Sequence, residues 1–308
     1  NTARTGLAPA QAGTQTASIM FGGSSPAPAP YPQPYYHHAE TESYNGSSFT
    51  EVADLNTSRM ANRGGFGSST AGFLAGGYTY PPAGPTGIQQ LCESWNGSAW
   101  TEVADINTRR YGFACANSAP YTSGIITGGY TGGPPPSQIN DAVEIWNGTS
   151  WTETTETNTT KGGGSGAGTA STAAIVIGPV SSTVESWNGS SWTEVAEMTT
   201  NRSSTGSAGT YTSAIWFGGS SSSAKTELWN GSSWSELNDL STGRGDVGSA
   251  GGSSATTSAF AAGGTPPVTS ASEEWSFPPA TASTLQEGDM WFNSTSSVLK
   301  GYGTAAGI

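Results

Sequence analysis

Charge is scarce in this 308-residue chain: only 10% of its residues are Asp, Glu, Lys or Arg. Ten basic residues face twenty-two acidic ones, a net charge of -12. Such a surface repels polyanions at long range, so nucleic acid is excluded as a partner. Long apolar runs are also missing. None approaches the ~18 residues of a membrane-spanning helix, so no membrane insertion is expected. The two cysteines, Cys92 and Cys115, are too few for a disulfide scaffold and lack metal-ligand spacing. They are expected as small buried hydrophobes, with a single disulfide left open. Histidine occurs only as His37-His38. An adjacent pair without a third ligand gives no reason to expect a metal or any other cofactor. The chain opens on Asn1-Thr2, with neither an initiator Met nor a signal-like segment, and reads as processed or as a piece of something longer.

What is abundant is glycine, 44 residues, with Ser and Thr. That composition approaches a low-complexity linker. Against it stand 11 Trp, 11 Tyr and 9 Phe, an apolar content that disordered segments lack.

The aromatics recur at fixed places. The segments are ESYNGSSFTEVADL from Glu42, ESWNGSAWTEVADI from Glu93, EIWNGTSWTETTET from Glu144, ESWNGSSWTEVAEM from Glu185 and ELWNGSSWSELNDL from Glu227. A truncated sixth copy, EEWSF, starts at Glu273. The first aromatics (Tyr44, Trp95, Trp146, Trp187, Trp229 and Trp275) fall 41 to 51 residues apart, the span of a four-stranded propeller blade. β-solenoid coils are usually shorter. Each copy predicts a β-hairpin. Glu-x-Trp alternates before the turn, and Trp100, Trp151, Trp192 or Trp234 opens the strand after it. Asn-Gly between them predicts a type I′ turn with both residues at positive φ. Upstream, short apolar runs close on glycines, as in Ser18–Gly23, Gly72–Gly77 and Gly124–Gly129, and read as strands buried on both faces.

An apolar run into Gly-Gly, a later aromatic, a tight turn, a Trp and then a basic residue resembles the kelch repeat, six times over residues 1–277. The basic residues are Arg4, Arg59, Arg110, Lys161, Arg202 and Arg244. Repeat four departs from the pattern with Gly178-Pro179 and Lys161. The resemblance implies an all-β, six-bladed kelch-like β-propeller (1–277), followed by a C-terminal linker and hairpin tail (278–308). The six basic residues match six glutamates: Glu42, Glu93, Glu144, Glu185, Glu227 and Glu273. They are expected as structural salt links, or alternatively as an anion-binding ring at the channel mouth. Blade six lacks its last strand, because Pro278-Pro279 stand where the other repeats place their turn and Trp strand. The missing strand is expected before residue 1, or from the tail or a neighbouring subunit.

The tail, EGDMWFN through LKGY between Glu287 and Tyr302, is similar to hairpins in structural and tail-fibre proteins of tailed phages. The WNGSSWTEV arrays resemble those of marine, cyanobacterial phage structural proteins. That resemblance implies a non-enzymatic virion or extracellular fibre module that binds a host surface glycan or protein. Its other partners would be virion or fibre subunits, including further copies of itself.

The loops between the glycine pair and the next Glu differ sharply. They hold 18, 15 and 14 residues in repeats one to three (24–41, 78–92, 130–143) against 5, 7 and 8 in repeats four to six (180–184, 220–226, 265–272). The long ones carry Tyr31, Tyr35, Tyr36, His37, Tyr78, Tyr80 and Tyr130 among prolines. Tyrosine on proline-stiffened loops offers contact surface at low entropic cost, so these residues are the candidate binding site. Two enzyme alternatives are weaker. A sialidase-like glycosidase needs a convergent arginine cluster, a nucleophile and an acid, and here the basic residues are spread one per repeat. A galactose-oxidase-like site needs copper-binding histidines that the chain does not supply. No catalytic residue is therefore assigned.

Overall fold

Each repeat folds as one small antiparallel sheet, as its apolar run and Trp hairpin dictate. The computed structural model describes residues 2–276 apart from 11, 15, 27–34, 62, 80–86, 117, 133–137, 179–182 and 253–257, together with the strand backbones at 290–293 and 298–301.

Blade one contains β1 (Ala8–Pro9) and β2 (Ser18–Phe21), then a loop hairpin of β3 (Ser24–Pro26) and β4 (Tyr35–His37), then β5 (Thr41–Tyr44) and β6 (Phe49–Val52). Blade two is β7 (Gly65–Ser68), β8 (Ala71–Ala75), β9 (Cys92–Trp95) and β10 (Trp100–Val103). Blade three is β11 (Ala114–Cys115), β12 (Gly124–Thr127), β13 (Val143–Trp146) and β14 (Trp151–Thr154). Blade four is β15 (Ser165–Ala170), β16 (Ala173–Ile177), β17 (Val184–Trp187) and β18 (Trp192–Val195). Blade five is β19 (Gly206–Thr210), β20 (Ser213–Phe217), β21 (Thr226–Trp229) and β22 (Trp234–Glu236). Blade six has three described strands, β23 (Gly248–Ala250), β24 (Ser258–Ala262) and β25 (Ser272–Ser276). First strands of neighbouring blades touch, and β23 meets β1, so the ring closes into a six-bladed β-propeller.

The core is built between blades, not within them. Second strands are buried nearly end to end, and their side chains meet aromatics of the next blade. Phe66 and Phe73 of blade two pack with Trp146 and Trp151 of blade three. Ile125 and Val143 of blade three pack with Trp187 and Trp192 of blade four. The crossing is close enough that a Cβ at Gly124 would meet the Phe66 ring at 2.4 Å.

The Asn-Gly turns depart from the sequence expectation. Pairing ends at Trp95↔Trp100, Trp146↔Trp151, Trp187↔Trp192, Trp229↔Trp234 and Tyr44↔Phe49, which leaves four loop residues and not two. Within these loops only glycine takes positive φ, as at Gly97 (96°). The asparagine side chain closes the loop instead. Asn96 Oδ1 accepts the Ser98 and Ala99 amides, both at 2.9 Å, and the other four turns repeat the arrangement. With the side chain as acceptor, a second positive φ is unnecessary.

Both cysteines are free and buried, and burial pushes each thiol up to about 12. Cys92 stands where blade one has Thr41, each being the first residue of its third strand. Thr41 Oγ1 accepts the Trp100 indole N–H at 2.9 Å, whereas Trp151 Nε1, clustered with Cys92, has no partner. Cys92→Thr is therefore expected to stabilise the protein by about 1 kcal/mol, read from the guanidinium unfolding midpoint. A lowered midpoint would refute this account.

Separately, residues 276–308 form a second unit. Within it β26 (Met290–Asn293) and β27 (Val298–Gly301) pair antiparallel, from Met290↔Gly301 to Asn293↔Val298, as the two-strand tail pattern anticipates.

Candidate functional site

The six basic residues are fully or nearly fully buried, and each is paired with the glutamate on the third strand of its own blade. The distances are 2.5 Å for Arg4–Glu42, 2.5 Å for Arg59–Glu93 and 2.6 Å for Arg110–Glu144. They are 2.7 Å for Lys161–Glu185, 3.0 Å for Arg202–Glu227 and 2.8 Å for Arg244–Glu273. A backbone amide from the loop arriving from the preceding blade reaches five of these carboxylates. Asn56, Asn107, Asn158, Thr199 and Ser241 donate at 2.7–2.8 Å to Glu93, Glu144, Glu185, Glu227 and Glu273. Each of these five glutamates thus stitches two blades together. At Glu185, burial raises the pKa, but the Lys161 ammonium, the Asn158 amide and the Thr159 hydroxyl outweigh it and hold the carboxyl below its ordinary value. Turned inward this way, the basic residues do not present an anion-binding ring.

In blades one, three and five the same guanidinium also clamps the loop between the second and third strands. Arg4 Nη1 donates to Gly22 O (2.8 Å) and Glu40 O (2.7 Å), the two stems of that loop. Arg110 Nη1 donates to Gly128 O (3.1 Å) and Ala142 O (2.8 Å). Arg202 Nη1 reaches Gly218 O and Lys225 O.

The face carrying these loops is lopsided. Over blade one, β3 and β4 form an added hairpin with Tyr35 51% and Tyr36 42% exposed. Tyr36 lies edge-on to His38 at 5.0 Å, and His38 is held between Ser25 Oγ (2.7 Å) and Glu40 Oε2 (2.9 Å). His37 is buried beneath the face and packs on Tyr78 at 5.7 Å. Burial, followed by the charge of His38, lowers its pKa to about 4, so it is neutral near pH 7. From Tyr78 the rings continue to Tyr111 at 5.5 Å and from Tyr111 to Tyr130 at 5.2 Å. An aromatic strip thus runs over blades one to three. Tyr31 and Tyr80 lie outside the described residues. Beside the far end of the strip is a cavity of about 530 Å³ lined by Thr108, Arg109, Thr131, Gln138, Ile139 and Asn140.

Sequence reasoning missed two residues here. Tyr111 joins the strip from the loop between blades two and three; its only signal is its position directly after Arg110. Arg63 crosses the ring. Its Nη1 pairs with Asp246 at 2.9 Å in blade six, and Nη2 donates to Gly163 O of blade four at 3.4 Å. Around it, left-handed residues Gly6, Gly112, Gly163, Ser204 and Asp246 pass backbone hydrogen bonds between blades, including Gly6 N to Asp246 O (3.1 Å) and Asp246 N to Ser204 O (2.8 Å).

The tryptophans have matching structural roles. Trp95, Trp146, Trp187 and Trp229 donate to a carbonyl in the turn between the first two strands of their own blade, at 2.9–3.0 Å. Trp100, Trp192 and Trp234 donate to the preceding blade at 2.8–3.0 Å. Trp275 is partly buried against the blade-five cluster. Among the described residues no group of three or more His, Cys, Asp or Glu side chains is placed to hold a metal ion.

The ring of sheets and its inter-blade stitching define a six-bladed β-propeller. Among solved structures, the chain is similar to the one titled "Structure of YjhT", also a propeller, with a TM-score of 0.64 and 12% identity over 85% of this chain and 91% of the other. That likeness speaks for the fold alone. No protein-family model matches the chain, and no curated protein matches its sequence.

Proposed function

We propose that this propeller is a non-catalytic binding module that engages a surface glycan or protein through the loop face over blades one to three. The aromatic strip from Tyr35 and Tyr36 through Tyr78 and Tyr111 to Tyr130 carries the reading, because it occupies the half of the face with long loops. Exposed tyrosine faces suit sugar rings and protein side chains alike. The six repeat-position basic residues and their glutamates support a non-catalytic role, since they are engaged in ion pairs distributed one per blade. In this reading the module belongs to a virion tail fibre or another extracellular fibre, with fibre subunits as its other partners; the resemblance of its repeats and tail motif to such proteins supports it.

The triple variant Tyr35→Ala/Tyr36→Ala/Tyr78→Ala is expected to lose at least about tenfold in binding on a glycan or host-surface array while still unfolding in one cooperative transition. Unchanged binding would remove this face from consideration. In a second reading the propeller is a structural link of the fibre, favoured by the unpaired outer edge of β25 among the described residues.

A further inference from the structure

Among the described residues blade six has three strands where the other blades have four. In blades one to five the third strand is sandwiched, and its burial reads buried, buried, half-buried, buried. In β25 the pattern alternates between exposed and half-buried. The Glu273 side chain is 24% exposed, whereas its five counterparts are at 8% or less.

The other blades specify what fits. Their outer strands open on Phe49, Trp100, Trp151, Trp192 or Trp234, with Glu two residues later. Six residues after the aromatic comes Leu55, Ile106, Thr157, Met198 or Leu240. The amides of Leu55, Ile106, Thr157 and Leu240 donate to Ala39 O, Gln90 O, Asp141 O and Ala224 O at 2.8–3.1 Å. Leu55, Ile106 and Leu240 lie over the glycines Gly22, Gly76 and Gly218. The matching positions in blade six are Ser270, for the acceptor carbonyl, and Gly263. Both line an open cleft with Leu7, Met20, Phe49 and Thr269. The edge of β25 and the cleft beside it therefore fit a strand and the apolar residue that follows it.

We propose that the outer edge of β25 is a docking site for a β-strand of the pattern aromatic-x-Glu-aliphatic, ending in an apolar residue, supplied from outside these 308 residues. Backbone pairing along β25 would give affinity, and the Trp and the terminal apolar side chain would give register. A second copy has no spare strand of this kind, because the four occurrences, from Phe49, Trp100, Trp192 and Trp234, and the related strand Trp151–Thr154 are all paired inside their own blades. Residues 277–308 contain no aromatic-x-Glu-aliphatic run.

The probe is a fluorescein-labelled peptide with the sequence of Ser190–Met198, titrated into the full chain and followed by anisotropy. Saturable one-to-one binding in the micromolar range is expected, with a rise in thermal midpoint when peptide is in excess. A peptide with Trp192→Ala should bind at least about tenfold more weakly. The protein variant Ser270→Trp changes an exposed residue, leaves the fold intact and fills the cleft, and it should weaken binding similarly. Absence of binding to a folded wild-type chain would overturn the proposal. A stable dimer by light scattering that the peptide does not dissociate would overturn it in favour of a second copy.

Discussion

Glu144→Ala is expected to destabilise the propeller by about 3–5 kcal/mol, because Glu144 is the buried counter-charge beneath the loops of blade three. Both Glu144 and Arg110 are fully buried, and removing the carboxylate leaves the guanidinium uncompensated in a dry interface. The loss extends beyond the pair, because the Asn107 and Thr108 amides, which donate to the same carboxylate, lose their acceptor. Burial already lowers the Arg110 pKa, against the pull of the neighbouring Glu144, a sign of how dry the site is. Equilibrium unfolding in urea measures the effect. The double variant Arg110→Met/Glu144→Leu should recover the part due to the unpaired guanidinium, since two apolar side chains need no counter-charge, while the Asn107 and Thr108 amides still lack their acceptor. Glu236→Ala breaks an exposed pair with Lys225 and should leave the midpoint unmoved. A Glu144→Ala loss below about 1 kcal/mol would mean that the buried pairs do not hold the blades together.

Trp187→Ala is the second large effect, again about 3–5 kcal/mol. The ring is 0% exposed, sits 5.1 Å from Trp192 and packs among Ala114, Ile125 and Val176 across the interface of blades three and four. Its removal opens a cavity in an interface of strands too short to relax around it. It also leaves the Ser171 carbonyl, now bonded at 2.9 Å, without a donor. Trp187→Phe should cost less, because much of the ring volume stays. Trp234, only partly buried, should tolerate alanine better than Trp187. Denaturant midpoints of the three variants give the ranking. Equal losses at Trp187 and Trp234 would contradict the packing argument.

Much of this architecture was legible in the sequence because a propeller repeats its contacts at a fixed chain interval. Glu144 and Arg110 recur with the period of the blade, so their matching numbers could be read before any fold was known. The same holds for the apolar run that becomes β16 and for Trp187. The turn was misread because Asn-Gly predicts backbone geometry, while here the Asn96 side chain does the closing. Arg63 was illegible for a different reason. Its partner Asp246 is 183 residues away and neither side chain recurs in the other repeats, so only ring closure brings them together. Tyr111 is illegible as a contact residue because it lies outside the long loops, in the loop between blades, and joins the strip only in the folded ring.

The arginine clamps have a consequence for what this scaffold can be made to carry. Arg4, Arg110 and Arg202 hold both stems of the loop above them, and the spans so held have 18, 14 and 7 residues. The mount is the same whatever its cargo. Since the closure cost of a loop grows only slowly with its length, a longer or shorter insert adds little load to the ring. Blades one, three and five are thus sockets with a standard fitting, and the recognition surface can be rewritten one socket at a time while the frame beneath stays unchanged.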